Sequence, residues 1–295
     1  MSFQILHKRV SAGAPCYIVG EVGQAHDGSY ALAHAYIDAI ADAGADAVKF
    51  QCHIAVAEST PDEAWRVEPK WKQDASRYSY WHRMEFTPPQ WRELRNHAHG
   101  RALGFIVSPF SVEAVAMLSP LVDAWKVASG EVTHTELLDA LWTDGRPVIL
   151  SSGMSTEGET AAALHVLSGW VPTIVLDCVS VYPCQPELMG PPVWDGLSDH
   201  SGTIWPAIAY VSRGTCQMLE VHVTLARGTG LLDESSSITV QELAQLVRGV
   251  RFVERMGIAS QEEREERLKP MRELFMDRWK RKQEEACQTA VGTTE

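Results

Sequence analysis

The sequence predicts a (β/α)8 TIM barrel with a shortened or missing sixth helix and a short helical tail at the C-terminus. Three observations predict it. Eight short β-branched runs alternate with helix-period segments along one continuous stretch. Most of these runs are unbroken apolar rather than alternating, as parallel strands covered on both faces are. Polar residues gather at the C-terminal ends of the runs, where a barrel builds its sites. A doubly wound open sheet is the alternative architecture.

The strands are read at 16–22, 46–51, 104–109, 124–129, 147–152, 173–180, 193–199 and 217–223. Between the first two, residues 29–44 place Leu32, Ala35, Tyr36, Ala39, Ile40 and Ala43 on one helical face and stop at Gly44. A second helix opens at Thr87 with prolines behind it and ends at Gly100. Later helices carry capping-box spacing at Thr133/Glu136, Thr156/Glu159 and Thr239/Glu242. Two regions break the rhythm. Residues 52–86 form a long connection rich in Trp, Arg and Tyr, a length that in a barrel is functional or disordered. After the sixth strand, VYPCQPELMGPP has four prolines and no helical period, so the sixth helix is expected to be missing. Residues 1–258 are read as the barrel and 259–295 as the tail. In the tail Leu268, Met271, Leu274, Phe275 and Met276 predict a short helix after Pro270, with disorder from about Cys287.

Composition excludes several functions. The 295 residues carry 38 acids and 26 bases, a net charge of −12, which disfavours the clustered Lys and Arg that nucleic acid needs. Apolar runs fall short of the roughly 20 residues that cross a bilayer. The N-terminus shows no secretory pattern. Six cysteines without a C-x-x-C pair read as reduced thiols in a cytoplasmic protein.

Charge at the strand ends is the informative feature. Glu21 ends the first strand, Lys49 lies in the second, and Lys126 in the fourth is followed by Ser129 and Glu131. Ser151 ends the fifth. The sixth carries Asp177 and Ser180, then Tyr182; the seventh ends Ser198, Asp199, His200; the eighth carries Glu220 and His222. A lone buried charge costs several kcal/mol unless paired or ligated, so this set favours a site for an anion plus a metal. His200 and His222 on neighbouring strands, with a carboxylate such as Glu21, suit a divalent ion such as manganese, zinc or iron. Lys49 and Lys126, with Ser129, Ser151 and Ser198, suit a small phosphorylated carboxylate. A Schiff-base lysine is the competing reading, and the histidine pair weighs against it. His26 stays open between packing and ligation. The other histidines read as surface or packing groups.

These residues sit in segments that resemble the N-acetylneuraminate (sialic acid) synthase family. The segments are IVGEVGQAHDGSYALAHAYIDAIADAGADAVKFQ, GFIVSPFSVEAVAML, AWKVASGEVTHTELLDAL, GRPVILSSGMST, SVYP, LSDHSG and LEVHVTLARGTGLLD, in order from about Tyr17 to Arg251. The resemblance implies a metal-dependent barrel that condenses phosphoenolpyruvate with an aldehyde sugar, releasing phosphate and leaving a 2-keto acid. It implies that His200 and His222 ligate the metal, manganese first, with magnesium, cobalt or zinc as alternatives. Glu21 would lie beside it. Lys49, Lys126, Ser129, Ser151, Ser180 and Ser198 would cradle phosphoenolpyruvate. Glu131, Tyr182 and Asp233 would face the acceptor, with Glu131 a proton-transfer group and Glu21, Glu131 and Lys126 the catalytic set. A homodimer is a further expectation.

The chain departs from the family pattern on the acceptor side. The family's Asn-His after the first strand is Ala25-His26, no Asn occurs between Gly28 and Arg95, and the phrase before Asp233 is GTGLLD. The family's C-terminal antifreeze-like domain is not expected in a chain of this length. An acceptor other than N-acetylmannosamine is therefore expected, a different sugar or a nucleoside aldehyde. Two rival readings are a metal-dependent barrel lyase or aldolase that does not use phosphoenolpyruvate, and a non-catalytic barrel acting as a partner subunit.

Overall fold

The structure, a computed structural model, describes residues 2–68, 70–71 and 73–291, with side chains through 285. It divides into two units, Met1–Glu254 and Arg255–Glu295. The first opens with an antiparallel hairpin that the sequence reading did not include, β1 (Ser2–Ile5) and β2 (Lys8–Ser11). Eight parallel strands follow: β3 (Tyr17–Gly23), β4 (Ala47–Cys52), β5 (Gly104–Pro109), β6 (Ala124–Val127), β7 (Val148–Ser151), β8 (Thr173–Cys178), β9 (Gly196–Asp199) and β10 (Met218–Thr224). Each pairs with the next, and β10 pairs with both β9 and β3, so the sheet closes into the expected barrel. A two-residue β11 (Ile238–Thr239) extends β10.

The barrel interior is apolar at the strand starts. Ile5 and Val10 of the hairpin pack there with Tyr17, Val19, Ile106 and Met218, which plugs the N-terminal end. Outside lie α1 (Tyr30–Asp42), α2 (Ala55–Glu58), α3 (Arg77–Met84), α4 (Pro88–Gly100), α5 (Val112–Leu118), α6 (Thr135–Asp144), α7 (Glu157–Ser168), α8 (Trp205–Val211) and α9 (Val240–Arg255). The apolar faces of these helices bury Ile37, Ile40, Leu94, Leu137 and Leu246 against the outer face of the strands. Apolar burial of this kind, roughly 25 cal/mol per Å2, is the main term holding the layers together.

Several local expectations change. Thr156 and Thr239 form capping boxes, whereas α6 is capped at His134 without a side-chain bond, so Thr133 caps nothing. The seventh strand starts at Gly196 rather than at 193, because Val193 and Trp194 spend their N–H groups on the Asp177 carboxylate instead of a ladder. The proline run after β8 holds a single 3-10 turn, Pro186–Leu188, in place of a sixth helix. The second unit contains α10 (Gln261–Phe275) and α11 (Asp277–Val291). The Ser260/Glu263 capping box starts α10 well before Pro270, which lies inside it, and α11 runs past Cys287, where disorder was expected. Among the described residues no helix is long and apolar enough to cross a membrane.

Candidate active site

Lone charges in β3, β4, β6 and β10 meet inside the C-terminal mouth of the barrel. Lys49 lies 2.9 Å from Glu21 and 3.5 Å from Glu220, and Lys126 lies 3.8 Å from Glu220. All four side chains are buried. Strand register explains the meeting: Glu21 pairs with Lys49 and His222 pairs with Glu21, so their side chains share the inward face. Hydroxyls complete the set. Lys126 donates to Ser151 at 2.7 Å, Lys49 to Ser108 at 3.2 Å, and Ser198 to Glu220 at 3.2 Å. Ser129 and Ser180 hydrogen-bond to each other at 2.7 Å. All of these residues but Ser180 line a small inner cavity of about 50 Å3.

The inner charges balance, two lysines against two carboxylates. Burial pushes the Glu21 carboxyl up, opposed by Lys49. Burial also opposes the Lys49 charge, but Glu21 and Glu220 more than offset it and raise its pKa. Lys126 is pushed down by burial, and Glu220 is held low, against burial, by Lys126 and Lys49. Among the described residues Glu21 Oε2 and Glu220 Oε2 are buried without a hydrogen-bond partner. A buried polar atom left unpaired costs about 1–3 kcal/mol, more for a charged one, which marks these oxygens as facing a ligand position.

The two histidines come together as expected, their ring centroids 5.2 Å apart. His200 Nδ1 faces the Val179 carbonyl at 3.0 Å. A carbonyl only accepts, so Nδ1 carries the proton and Nε2 presents a lone pair, to which the Tyr182 hydroxyl donates at 3.0 Å. Burial lowers the pKa of both imidazoles, that of His222 well below the usual value, which keeps them neutral. His222 Nδ1 and Glu21 Oε1 both border Gly23, where an added Cβ would sit 3.6 and 3.4 Å from them. Asp233 stands 4.0 Å from His222 Nδ1 and is pushed up to about 6 by burial. Among the described residues no group of three His, Cys, Asp or Glu side chains is arranged to hold a metal ion; the two neutral imidazoles are the residues whose chemistry suits one.

Above lies a larger chamber of about 660 Å3, which meets the inner cavity at Gln51 and Tyr182. Asp233 and Gln24 line it from the barrel, and Trp65, Arg66, Arg77 and Trp81 line it from the segment between β4 and α4. That segment is therefore a wall of the chamber. Arg77 hydrogen-bonds to Glu63 and lies 5.5 Å from the Trp81 ring.

Not every expected residue joins. Glu131 lines neither cavity; its carboxylate faces His134 at 2.9 Å. Asp177 turns outward, taking the Val193 and Trp194 N–H groups and the Tyr210 hydroxyl, so it is a structural staple. Asp199 closes a turn onto Ser201. His26 packs 4.8 Å from Phe86, accepts the Gly28 N–H at Nδ1 (3.1 Å), is lowered to about 3 by burial, and lines neither cavity. The sequence reading counted Glu220 among the strand-end charges and the 52–86 connection as functional or disordered without giving either a specific role, and it passed over Gln51 and Ser108. Gln51 and Lys49 share strand parity, and Ser108 pairs with Gln51, so alternation was the signal for both.

Comparison with known proteins agrees with this geometry. The NeuB family profile matches residues 36–261. Human N-acetylneuraminate-9-phosphate synthase is 31% identical over 257 residues, covering 82% of this chain and 71% of that protein. N,N'-diacetyllegionaminic acid synthase of Campylobacter jejuni is 29% identical over 259 residues, covering 81% and 76%. Among solved structures, N-acetylneuraminic acid (sialic acid) synthetase of Leptospira borgpetersenii serovar Hardjo-bovis, in complex with citrate, superposes with a TM-score of 0.77. It is 25% identical and covers 94% of this chain and 98% of its own.

Proposed function

The chain belongs to the NeuB family, and from that premise we propose that it is a synthase condensing phosphoenolpyruvate with an aldehyde acceptor that is sugar- or nucleoside-like. The observation that carries this reading is the buried, charge-balanced group of Lys49, Lys126, Glu21 and Glu220 directly below a chamber of acceptor size. Named relatives are synthases of N-acetylneuraminate-9-phosphate and of diacetyllegionaminic acid.

In this reading Lys49 and Lys126, with Ser129, Ser151, Ser180 and Ser198, hold the phosphate and carboxylate of phosphoenolpyruvate. Tyr182 and Asp233 orient the acceptor aldehyde over it. C3 of phosphoenolpyruvate bonds to the aldehyde carbon, water adds at C2, and the C2–O bond to phosphate breaks. Phosphate leaves and a 2-keto acid remains. Glu21 handles the water proton at C2, and Glu131, which the family resemblance assigned to the acceptor side, stands outside both cavities against His134. Holding both reactants in one water-poor pocket supplies much of the rate. A divalent metal held by His200 and His222, with Glu21 beside it, would supply Lewis-acid polarisation of the acceptor carbonyl. We take manganese as that metal, residues 1–258 as the catalytic domain, and a homodimer as the assembly. A cytoplasmic location agrees with the five described cysteines being free thiols.

Mixing the protein with phosphoenolpyruvate, Mn2+ and a panel of sugar and nucleoside aldehydes should release phosphate with at least one of them. Silence across the panel sinks this reading and leaves the lyase alternative. His222→Ala should abolish Mn2+ binding and turnover together; retained binding would refute the metal assignment.

A further inference from the structure

His53 takes no part in the reading above, yet it is buried where the chamber wall meets the barrel. Its ring lies between Trp81, centroids 3.6 Å apart at 18°, and Phe110, 4.1 Å apart at 21°. Its Nδ1 faces Glu58 Oε2 at 2.7 Å and its Nε2 faces Gln51 Oε1 at 3.3 Å. Gln24 also donates to Gln51 Oε1, at 2.9 Å. The other end of the amide, Gln51 Nε2, donates to Glu21 Oε1 at 2.9 Å. An unbroken line of polar contacts therefore runs Glu58–His53–Gln51–Glu21–Lys49, from the wall segment into the inner cavity.

We propose that His53 is a positioning residue: clamped between Trp81 and Phe110, it pins Gln51, and Gln51 pins the Glu21 carboxylate for the condensation. The proposal rests on the function just given. Gln51 has one workable orientation. Turned over, its carbonyl oxygen would face the Glu21 carboxylate, oxygen against oxygen. Its Oε1 must then point at His53 and Gln24, so a proton on His53 Nε2 locks the amide. Glu58, fixed in turn by the Ile54 N–H at 2.7 Å, holds the opposite nitrogen. Both nitrogens thus face oxygen acceptors. Burial lowers the His53 pKa and outweighs Glu58, which favours the charged ring, so the geometry and not the ring's charge is what pins Gln51. Outer partners of this kind orient the groups that do chemistry without touching substrate.

His53→Phe keeps the stack and removes both polar arms, and Glu58 retains the Ile54 N–H. We expect kcat to fall about 10- to 100-fold, KM for phosphoenolpyruvate to stay within about twofold, and the thermal midpoint to hold. Gln51→Leu should show the same pattern, and the double variant should cost little more than either single one. His53→Gln, which can still donate toward Gln51, should recover part of the loss. A readout free of turnover is the Gln51 side-chain amide resonance in NMR, which should shift in His53→Phe. Unchanged kcat with an unmoved amide overturns the proposal. So does loss of phosphoenolpyruvate binding and thermal stability in step, which would make His53 merely structural. If the unaltered protein releases no phosphate with any aldehyde, the functional reading fails, and the amide shift still decides whether His53 pins Gln51.

Discussion

At the scale of single residues, the inner site is a balance of four buried charges, and the balance can be tested by removing one. Glu220→Gln leaves Lys49 and Lys126 facing Glu21 alone. Breaking a buried ion pair on one side costs about 3–5 kcal/mol, and urea unfolding should read that loss near neutral pH. The loss should shrink as pH rises. Burial already lowers the Lys126 pKa, and removing Glu220 lowers it further. A lysine depressed in the folded state binds fewer protons there than in the unfolded chain. Stability therefore climbs with pH between the depressed value and the ordinary 10.5. Added inorganic phosphate should also restore part of the stability, since an anion replaces the missing charge. A pH-independent loss would mean that packing, not charge, is what Glu220 supplies. Lys49, Lys126 and Glu21 were legible in the sequence because each is a lone charge in an apolar strand, and the two histidines because they stand at the ends of neighbouring strands. Gln51 and His53 were not. An uncharged amide gives no such contrast, and the place of His53 depends on Trp81 and Phe110, far along the chain.

At the scale of elements, strands were read from unbroken apolar runs and helices from caps, and each signal failed where a tertiary contact took over. The Asp177 carboxylate claims the start of the seventh strand, and the connection at 52–86, read as one long loop, carries the short helices α2 and α3 and lines the chamber. The hairpin Ser2–Ser11 escaped because its strands are only four residues each. Caps allow a direct comparison. Thr156 accepts from the Glu159 N–H and Glu159 answers at the Thr156 N–H. Thr133 has the same spacing to Glu136 but lies outside α6. Thr156→Ala should cost about 1 kcal/mol in thermal or urea unfolding. Thr133→Ala should cost less than about 0.5 kcal/mol, as an ordinary surface change. Equal costs would mean that α6 starts a turn earlier in solution. Gly153 tests the cradle in the same way. A Cβ there would collide with Ser180 Oγ and meet Cys178 Sγ at 2.6 Å. Gly153→Ala should displace the Ser180 hydroxyl and raise KM for phosphoenolpyruvate about 10-fold, a loss of roughly 1.4 kcal/mol of binding, with the barrel intact by circular dichroism.

At the scale of the whole molecule, the charge of −12 conflicts with a trianionic substrate. Residues 1–259 carry −11 of it and the remainder −1, so the barrel itself is acidic. Steering by a long-range field would repel phosphoenolpyruvate. In the proposed reading attraction comes from Lys49, Lys126 and a metal at His200 and His222, which would border the bound anion. Opposite unit charges in contact inside a protein interact several-fold more strongly than in water, whereas surface charges beyond a Debye length of about 10 Å at 0.1 M salt are screened. The two contributions respond to salt differently. Raising ionic strength removes the repulsion from the acidic surface and leaves the buried contacts nearly untouched. Between about 0.05 and 0.3 M salt, kcat/KM for phosphoenolpyruvate should therefore stay level or rise by up to about twofold. An enzyme that draws its anion in by a basic field shows a steep fall over the same range. Steady-state phosphate release at fixed Mn2+, with potassium acetate as the salt, makes the measurement. A fall of tenfold would show that some basic surface guides the anion inward. The cationic side of the chamber wall, Arg66, Lys70 and Arg77, would then be the first place to look for it.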